Sequence, residues 1–436
     1  MEPILFALAT FAFLAFYLCL GNWIFVALLM VGLSTLAFLL DFPFMRIGSV
    51  MKGTMWRTAS TWELAAIPMF VFMGEIIFRT DISERLFRGL APWTSLVPGR
   101  LLHCNIIGCT LFAAVSGSST ATTATVGKIT MAELNRRGYD SGLAMGSLAG
   151  AGSLGLMIPP SISMIIYGVL AEQSITALFA AGILPGLLIS GIYSAYIVFR
   201  ALGGNVTGTG TDAVRFTVAD YLRSLLDLLP VVGLIFIVLG GIYAGVVTPS
   251  EAAALGFAAT LALVILLGQF RMSIFVDALM GATRITCMVM TILVAAGFMS
   301  STMAYLHVPQ EISKLIAAME LGPVGIIVLI GVFYILLGMF LDGLSIMVMT
   351  LPITLPLIVG SGWDPIWFGV FLVIMIELGL ITPPIGFNLF VMQGITGRSI
   401  GEIARGALPF FLLMLLSAVI ITVFPALVLW LPEVLF

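Results

Sequence analysis

Two proline pairs, Pro159-Pro160 and Pro383-Pro384, carry the clearest chemistry in this sequence, and each closes a run that opens on glycine: Gly155-Leu-Met-Ile-Pro-Pro160 and Gly379-Leu-Ile-Thr-Pro-Pro384. A proline pair removes two amide donors and drives the residue before it out of helical geometry. Carbonyls in 155–158 and 379–382 therefore lose their helical partners, and such oxygens are ligands for a cation. Beyond each break a half-helix, starting near Ser161 and Ile385, turns its positive dipole end inward, where an anion is favoured. Each run thus offers a sodium-type oxygen site beside an anion-binding terminus, an arrangement that repeat transporters use.

Two further stretches add oxygen ligands. Ser116-Gly-Ser-Ser-Thr120 and Asp342-Gly-Leu-Ser345 interrupt otherwise apolar segments at 101–135 and 323–359. Both segments read as helical hairpins that enter and leave the membrane on one side. Lipid offers no hydrogen bonds, so such tips must be buried in protein or line a cavity. Ser116, Ser118 and Ser119 are expected to ligate ion or substrate. Thr122, Thr123 and Thr125, at helical positions, are expected to pack. Two intramembrane acids stand close by: Asp342 in the second tip, and Glu377, two residues before Gly379. An unpaired carboxylate in hydrocarbon is costly and usually functional. For both, an ion or substrate role stands beside pairing with arginine or capping a half-helix. Glu63, Glu75 and Glu251 read as interfacial or capping residues, and Arg284 as a snorkelling side chain.

The elements that must hold these groups are membrane helices. The chain has 436 residues, of which 61% are hydrophobic and 9% charged, against about 25% charged in soluble domains. Several apolar stretches exceed the roughly 20 residues that cross a bilayer, so the chain is a polytopic all-α membrane protein. Spans are expected near 4–20, 23–40, 62–79, 141–170, 174–199, 225–246, 250–269, 284–303, 366–395 and 406–431. The uncharged run 3–40 is too long for a signal sequence and lacks its basic start. The net charge of −3 does not suggest a nucleic-acid partner.

The halves repeat. Gly155 and Gly379 are 224 residues apart, as are Leu184-Pro185 and Leu408-Pro409, and the tips Gly117 and Gly343 are related by 226. A slip of two residues over so long a stretch is what an internal duplication leaves. Each half reads as two spans, an amphipathic connector (42–61 and 270–283), a third span, a hairpin, a broken helix and a final span. Five of those elements cross, and an odd number inverts the second copy. In domain terms, 1–61 holds scaffold spans and the amphipathic arm of repeat 1, and 62–200 its third span, hairpin, broken helix and final span. A cytoplasmic linker occupies 201–224. Repeat 2 follows, with scaffold spans and arm at 225–283 and the remainder at 284–436. With the first hairpin open to the cytoplasm, 13 of the basic residues, Arg215 among them, lie inside and four outside, as the positive-inside rule requires.

Nothing in this pattern suggests an enzyme. No phosphate-cradling GxxxxGK[ST] is present, so ATP coupling within the chain is not expected. A serine hydrolase would need a histidine at the tip serines, and His103 lies about 20 Å up the same arm at 1.5 Å per residue. The two histidines and four scattered cysteines form no metal-ligand or disulfide pattern. An ion channel suits two interrupted hairpins less well than alternating access does.

Four stretches resemble the large membrane subunit of the tripartite ATP-independent periplasmic (TRAP) transporters: Ala113-Ala-Val-Ser-Gly-Ser-Ser-Thr120, Ser147-Leu-Ala-Gly-Ala-Gly-Ser-Leu-Gly-Leu-Met-Ile-Pro-Pro-Ser161, Gly338-Met-Phe-Leu-Asp-Gly343 and Glu377-Leu-Gly-Leu-Ile-Thr-Pro-Pro-Ile-Gly-Phe-Asn388. Pro-Pro breaks alone also occur in related sodium-dicarboxylate symporters. The resemblance implies an elevator-type transporter, with a domain of hairpins and broken helices sliding against a scaffold. It implies two sodium sites, one from Ser116, Ser119, Gly155, Ile158 and Pro160, the other from Gly338, Gly379, Thr382 and Ile385, mostly through backbone oxygens. The substrate, an organic or sugar acid, is expected between them, held by Ser118, Ser161, Asp342 and Asn388. Also implied are a bacterial inner-membrane location, a small four-helix membrane subunit and a periplasmic substrate-binding protein. The chain lacks a further four-helix segment at its start, so the small subunit is expected as a separate polypeptide. The alternative is a stand-alone sodium-carboxylate symporter that needs no binding protein.

Overall fold

The computed structural model describes residues 3–204, 216–307, 310–311, 314 and 322–436. Arg215 and the middle of the expected linker lie outside the described residues. Every regular element among the described residues is helical. Repeat 1 opens with α1 (Pro3–Cys19), α2 (Ile24–Ser34) and the arm α3 (Phe44–Ala59), followed by α4 (Ala66–Phe78) and α5 (Ile82–Thr94). The first hairpin is α6 (Leu101–Ser116) with α7 (Ser119–Arg136), and the first broken helix is α8 (Ser141–Gly152) with α9 (Ile162–Leu170); α10 (Ile175–Leu202) closes the repeat. Repeat 2 begins with α11 (Val218–Tyr243), α12 (Pro249–Leu266) and α13 (Met272–Tyr305). The second hairpin is α14 (Pro323–Gly338) with α15 (Gly343–Gly360), the second broken helix α16 (Pro365–Leu380) with α17 (Phe387–Thr396), and α18 (Ile400–Val423) and α19 (Ala426–Leu435) end the chain. Six of the described helices are each long and apolar enough to cross a bilayer.

Both expected hairpins and both expected broken helices are present, but four boundaries differ from the sequence reading. The connector expected at 270–283 is no separate arm: α13 runs unbroken from Met272 to Tyr305, through the boundary at 283–284. Its counterpart in repeat 1 does break, and α3 meets the segment Trp62–Phe78 at 54°. No glycine or proline punctuates 270–284 except Gly281, and one glycine does not stop a helix of good formers. The segment 80–100, left without a span, forms the amphipathic helix α5, whose apolar residues Ile82, Leu86, Phe87 and Leu90 are buried. Helix α11 begins at Val218, inside the expected linker, because Thr217 and Asp220 form a reciprocal capping box. The last span, expected as 406–431, is broken at Phe424-Pro425, where the proline removes a donor.

Of the acids expected to be interfacial or capping, Glu251 is a cap, while Glu75 forms an ion pair. Glu251 completes a capping box with Thr248 at the head of α12, and Glu75 pairs with Arg79 at 3.0 Å.

Small residues let helix backbones approach closely. Helix α8 crosses α18 so closely that a Cβ on Gly146 would stand 1.9 Å from the Gly406 carbonyl, and one on Gly406 would stand 2.3 Å from that of Gly142. Close glycine crossings are how membrane helices gain packing when burial of apolar surface gives no drive. Gly146→Ala is expected to destabilise the fold by roughly 1–3 kcal/mol, since neither backbone can yield. Thermal unfolding in detergent measures this, with Gly191→Ala as control: nothing stands within 4 Å of a Cβ there.

Candidate functional site

Four interruptions lie close together, the first break fully buried and the second with Pro383 and Pro384 exposed, and each is built by local sequence. The first tip turns because Gly117 caps α6 in the left-handed region at φ +59°, after which Ser118 caps α7 by accepting from the Ala121 amide at 3.4 Å. The first break follows a short 3-10 turn over Ser153–Leu156 and contains the cis bond Pro159-Pro160. Ser161 then caps α9, accepting from the Met164 amide at 3.4 Å while donating to the Leu156 carbonyl at 2.5 Å. The backbone amides of Met157 and Ile158 both turn to the Leu154 carbonyl. The carbonyls of Gly155, Ile158 and Pro160 accept none of these bonds.

This break is pressed against the first tip. A Cβ on Gly155 would lie 2.6 Å from the backbone of Ser118 and of Ser119, and one on Gly117 would lie 3.1 Å from the Pro160 carbonyl. Ser116 is tied to Thr122 by a hydroxyl–hydroxyl bond of 2.8 Å. The residues expected to form the first sodium site, Ser116, Ser119, Gly155, Ile158 and Pro160, therefore come from one tip and one break in direct contact. The sequence reading placed Thr122 only in packing, and its bond to Ser116 is visible only in three dimensions.

The second repeat is built alike. Gly338 of the hairpin meets Gly379 of the break: a Cβ on either would fall 2.6 or 2.4 Å from the other's Cα. The Ile385 amide donates to the Met339 carbonyl at 3.2 Å, joining the hairpin to the far side of the break. Thr382 donates its hydroxyl to the Leu378 carbonyl at 2.6 Å and its amide to Gly379 at 3.0 Å. Gly338, Gly379, Thr382 and Ile385 are thus gathered, together with Met339, which the sequence reading missed and whose only sequence signal is adjacency to Gly338.

The four residues expected at the substrate differ in what they can still offer. Asp342 caps α15, accepting from the Ser345 amide at 3.1 Å and from its hydroxyl. Ser161 is fully buried with both hydroxyl roles used. Ser118 is partly open and bonded to Thr120 at 3.3 Å. Asn388, fully buried in the first turn of α17, has neither amide oxygen nor nitrogen paired. Leaving such an amide unmade costs about 1–3 kcal/mol, so of the four it is the side chain with free polar capacity for a ligand. Glu377 on α16 is 1% exposed and accepts a hydrogen bond from the Ser119 hydroxyl.

Paired hairpins and proline-broken helices, one set in each repeat and packed backbone to backbone, define a secondary transporter built from repeats. The family model described as "Tripartite ATP-independent periplasmic transporter, DctM component" matches residues 11–427, and the chain belongs to that family. As such it is a multi-pass transporter permease of the bacterial inner membrane and not an enzyme. It is 34% identical to the C4-dicarboxylate TRAP transporter large permease protein DctM of Pseudomonas aeruginosa, over 87% of this chain and 88% of that protein. It is 32% identical to the ectoine/5-hydroxyectoine TRAP transporter large permease protein UehC of Ruegeria pomeroyi, over 86% and 87%. Its fold is similar to the crystal structure of the YdaH transporter of Alcanivorax borkumensis, with a TM-score of 0.60 at 14% identity, covering 88% of each chain.

The contact between tip and break generates a test. Gly155→Ala inserts a methyl group where the Ser118 and Ser119 backbone stands, and a binding constellation tolerates only about 0.5 Å of displacement. Uptake in proteoliposomes, normalised to the amount of variant that elutes as a single species, is expected to fall on the order of tenfold or more, a larger loss than any fall in its thermal unfolding temperature accounts for.

Proposed function

We propose that the chain couples inward movement of sodium to import of an organic acid, by an elevator motion of the hairpins and broken helices against the remaining spans. The observation that carries this reading is that, in both repeats, a hairpin and a proline-broken helix meet backbone to backbone: the Pro160 carbonyl stands 3.1 Å from where a Cβ on Gly117 would lie, and Gly338 meets Gly379. Those donor sets are hydroxyl and main-chain oxygens without nitrogen or sulfur, the chemistry that suits a hard monovalent cation. In repeat 1 the ligands are Ser116, Ser119, Gly155, Ile158 and Pro160; in repeat 2 they are Gly338, Gly379, Thr382 and Ile385. The substrate lies between them, near Asn388, with Ser118, Ser161 and Asp342 at its border. The names of the two relatives support a carboxylate-bearing cargo, since C4-dicarboxylates and ectoine both present one.

The family's tripartite description and the relatives' designation as large permeases support a working unit with two more members: a small membrane subunit and a periplasmic protein that captures the substrate. Sodium, not ATP, drives the cycle. Reconstituted with both partners, the chain should take up its substrate only when sodium is higher outside; equal uptake with sodium replaced by choline would reject the coupling. Uptake at full rate without the capture protein would instead favour a stand-alone symporter.

Thr382→Ala removes the hydroxyl beside the second site but leaves the backbone oxygens. The half-saturating sodium concentration of uptake should rise about fivefold, the equivalent of one oxygen contact of about 1 kcal/mol. An unchanged sodium dependence would exclude Thr382 from that site.

A further inference from the structure

The two tips dispose of their serine hydroxyls differently. Ser345 in the second tip donates to Asp342 of the same hairpin. Ser119, its counterpart in the first tip, donates to Glu377, which belongs to the broken helix of the other repeat. The residue that corresponds to Glu377 in repeat 1 is Ser153, and its hydroxyl turns back to the Gly150 carbonyl of its own helix. Duplication therefore left one carboxylate that reaches from the second repeat's break into the first repeat's tip.

Glu377 is buried and forms no ion pair among the described residues. Its second oxygen has no hydrogen-bond partner, and Ser119, which donates to the first, lies against Gly155 of the first break. The carboxylate thus sits beside Ser119, on the border of the proposed first ion site. A buried carboxylate with neither cation nor full hydrogen bonding is destabilising, and a cation at that site would offset the cost. The other groups assigned to the site are uncharged.

We infer that Glu377 is a positioning residue for the first ion site, an inference that rests on the sodium reading above. By accepting the Ser119 hydrogen, Glu377 turns the lone pairs of that hydroxyl toward the ion, as groups around a metal orient its ligands. It also supplies the negative charge that the site's own oxygens lack.

The test is thermal unfolding of the full chain in detergent as sodium replaces choline at constant ionic strength. Glu377→Gln keeps an acceptor for Ser119 and removes the charge. Its half-saturating sodium concentration should rise about tenfold, while its unfolding in choline should come no earlier than that of the unaltered chain, because no uncompensated charge is then buried. Glu377→Asp should restore most of the affinity, which a space-filling role would not predict. If the Gln variant does not fold, infrared difference spectra of the unaltered chain decide: sodium should shift a carboxylate stretching band, and an unchanged carboxylate region overturns the inference. A Gln variant with the unaltered sodium dependence overturns it as well. An unaltered chain that ignores sodium would bring down the sodium reading itself, and the role of Glu377 with it.

Discussion

A peptide group inside a bilayer has no water to bond to, and this constraint shapes the transport half of the protein. Each interruption of a helix leaves carbonyls that must be met by protein or by a ligand. The fold meets the requirement by setting interruption against interruption: the tip at Gly117 lies on the break at Pro160, and the break at Gly379 lies on the hairpin at Gly338. Neither tip would be tolerable facing lipid, and neither break would bring its oxygens near a partner if a side chain stood at Gly155, Gly338 or Gly379. Close approach of bare backbone is thus the condition both for stability at membrane depth and for a cluster of oxygens able to hold an ion.

Much of this was legible in the sequence because it is encoded locally. Proline pairs, the serine-rich and Asp-Gly tips and the recurrence of Gly155 at Gly379 specify where helices stop, and stopping depends on the residues at the stop. What the sequence did not disclose depends on neighbours in space. The hydropathy of 80–100 is too low for a span, yet α5 has an apolar face whose burial is decided by packing against other helices. Helix α13 carries no strong breaker between connector and span, so periodicity changed where the helix did not. The break at Phe424-Pro425 falls within an apolar run that hydropathy reads as continuous. Within the site, the positions of tips and breaks followed from sequence. The hydrogen-bond partners of Ser116, Ser119 and Ile385 did not, since each depends on which repeat or which arm lies opposite.

The two repeats are alike in backbone and unlike in charge. Asp342 is taken up by its own tip as a helix cap, whereas Glu377 crosses to the other repeat. An inverted pair with identical polar linings would bind two ions independently. The asymmetry instead ties the tip of one copy to the broken helix of the other, so the two repeats have a polar link as well as an apolar one. Asn388, unpaired in the first turn of α17, adds a free amide to the second repeat's half-helix, on the side where an anion is favoured by the helix dipole.

The account stands on ion binding where each tip meets its break. Hydrogen exchange of the backbone amides in segments 115–122 and 338–346, compared in sodium and in choline, examines that junction directly. Sodium should slow exchange in both segments together, because each ion would hold a tip against a break. Exchange that sodium leaves unchanged at both tips, or slows only in segments remote from them, would contradict it.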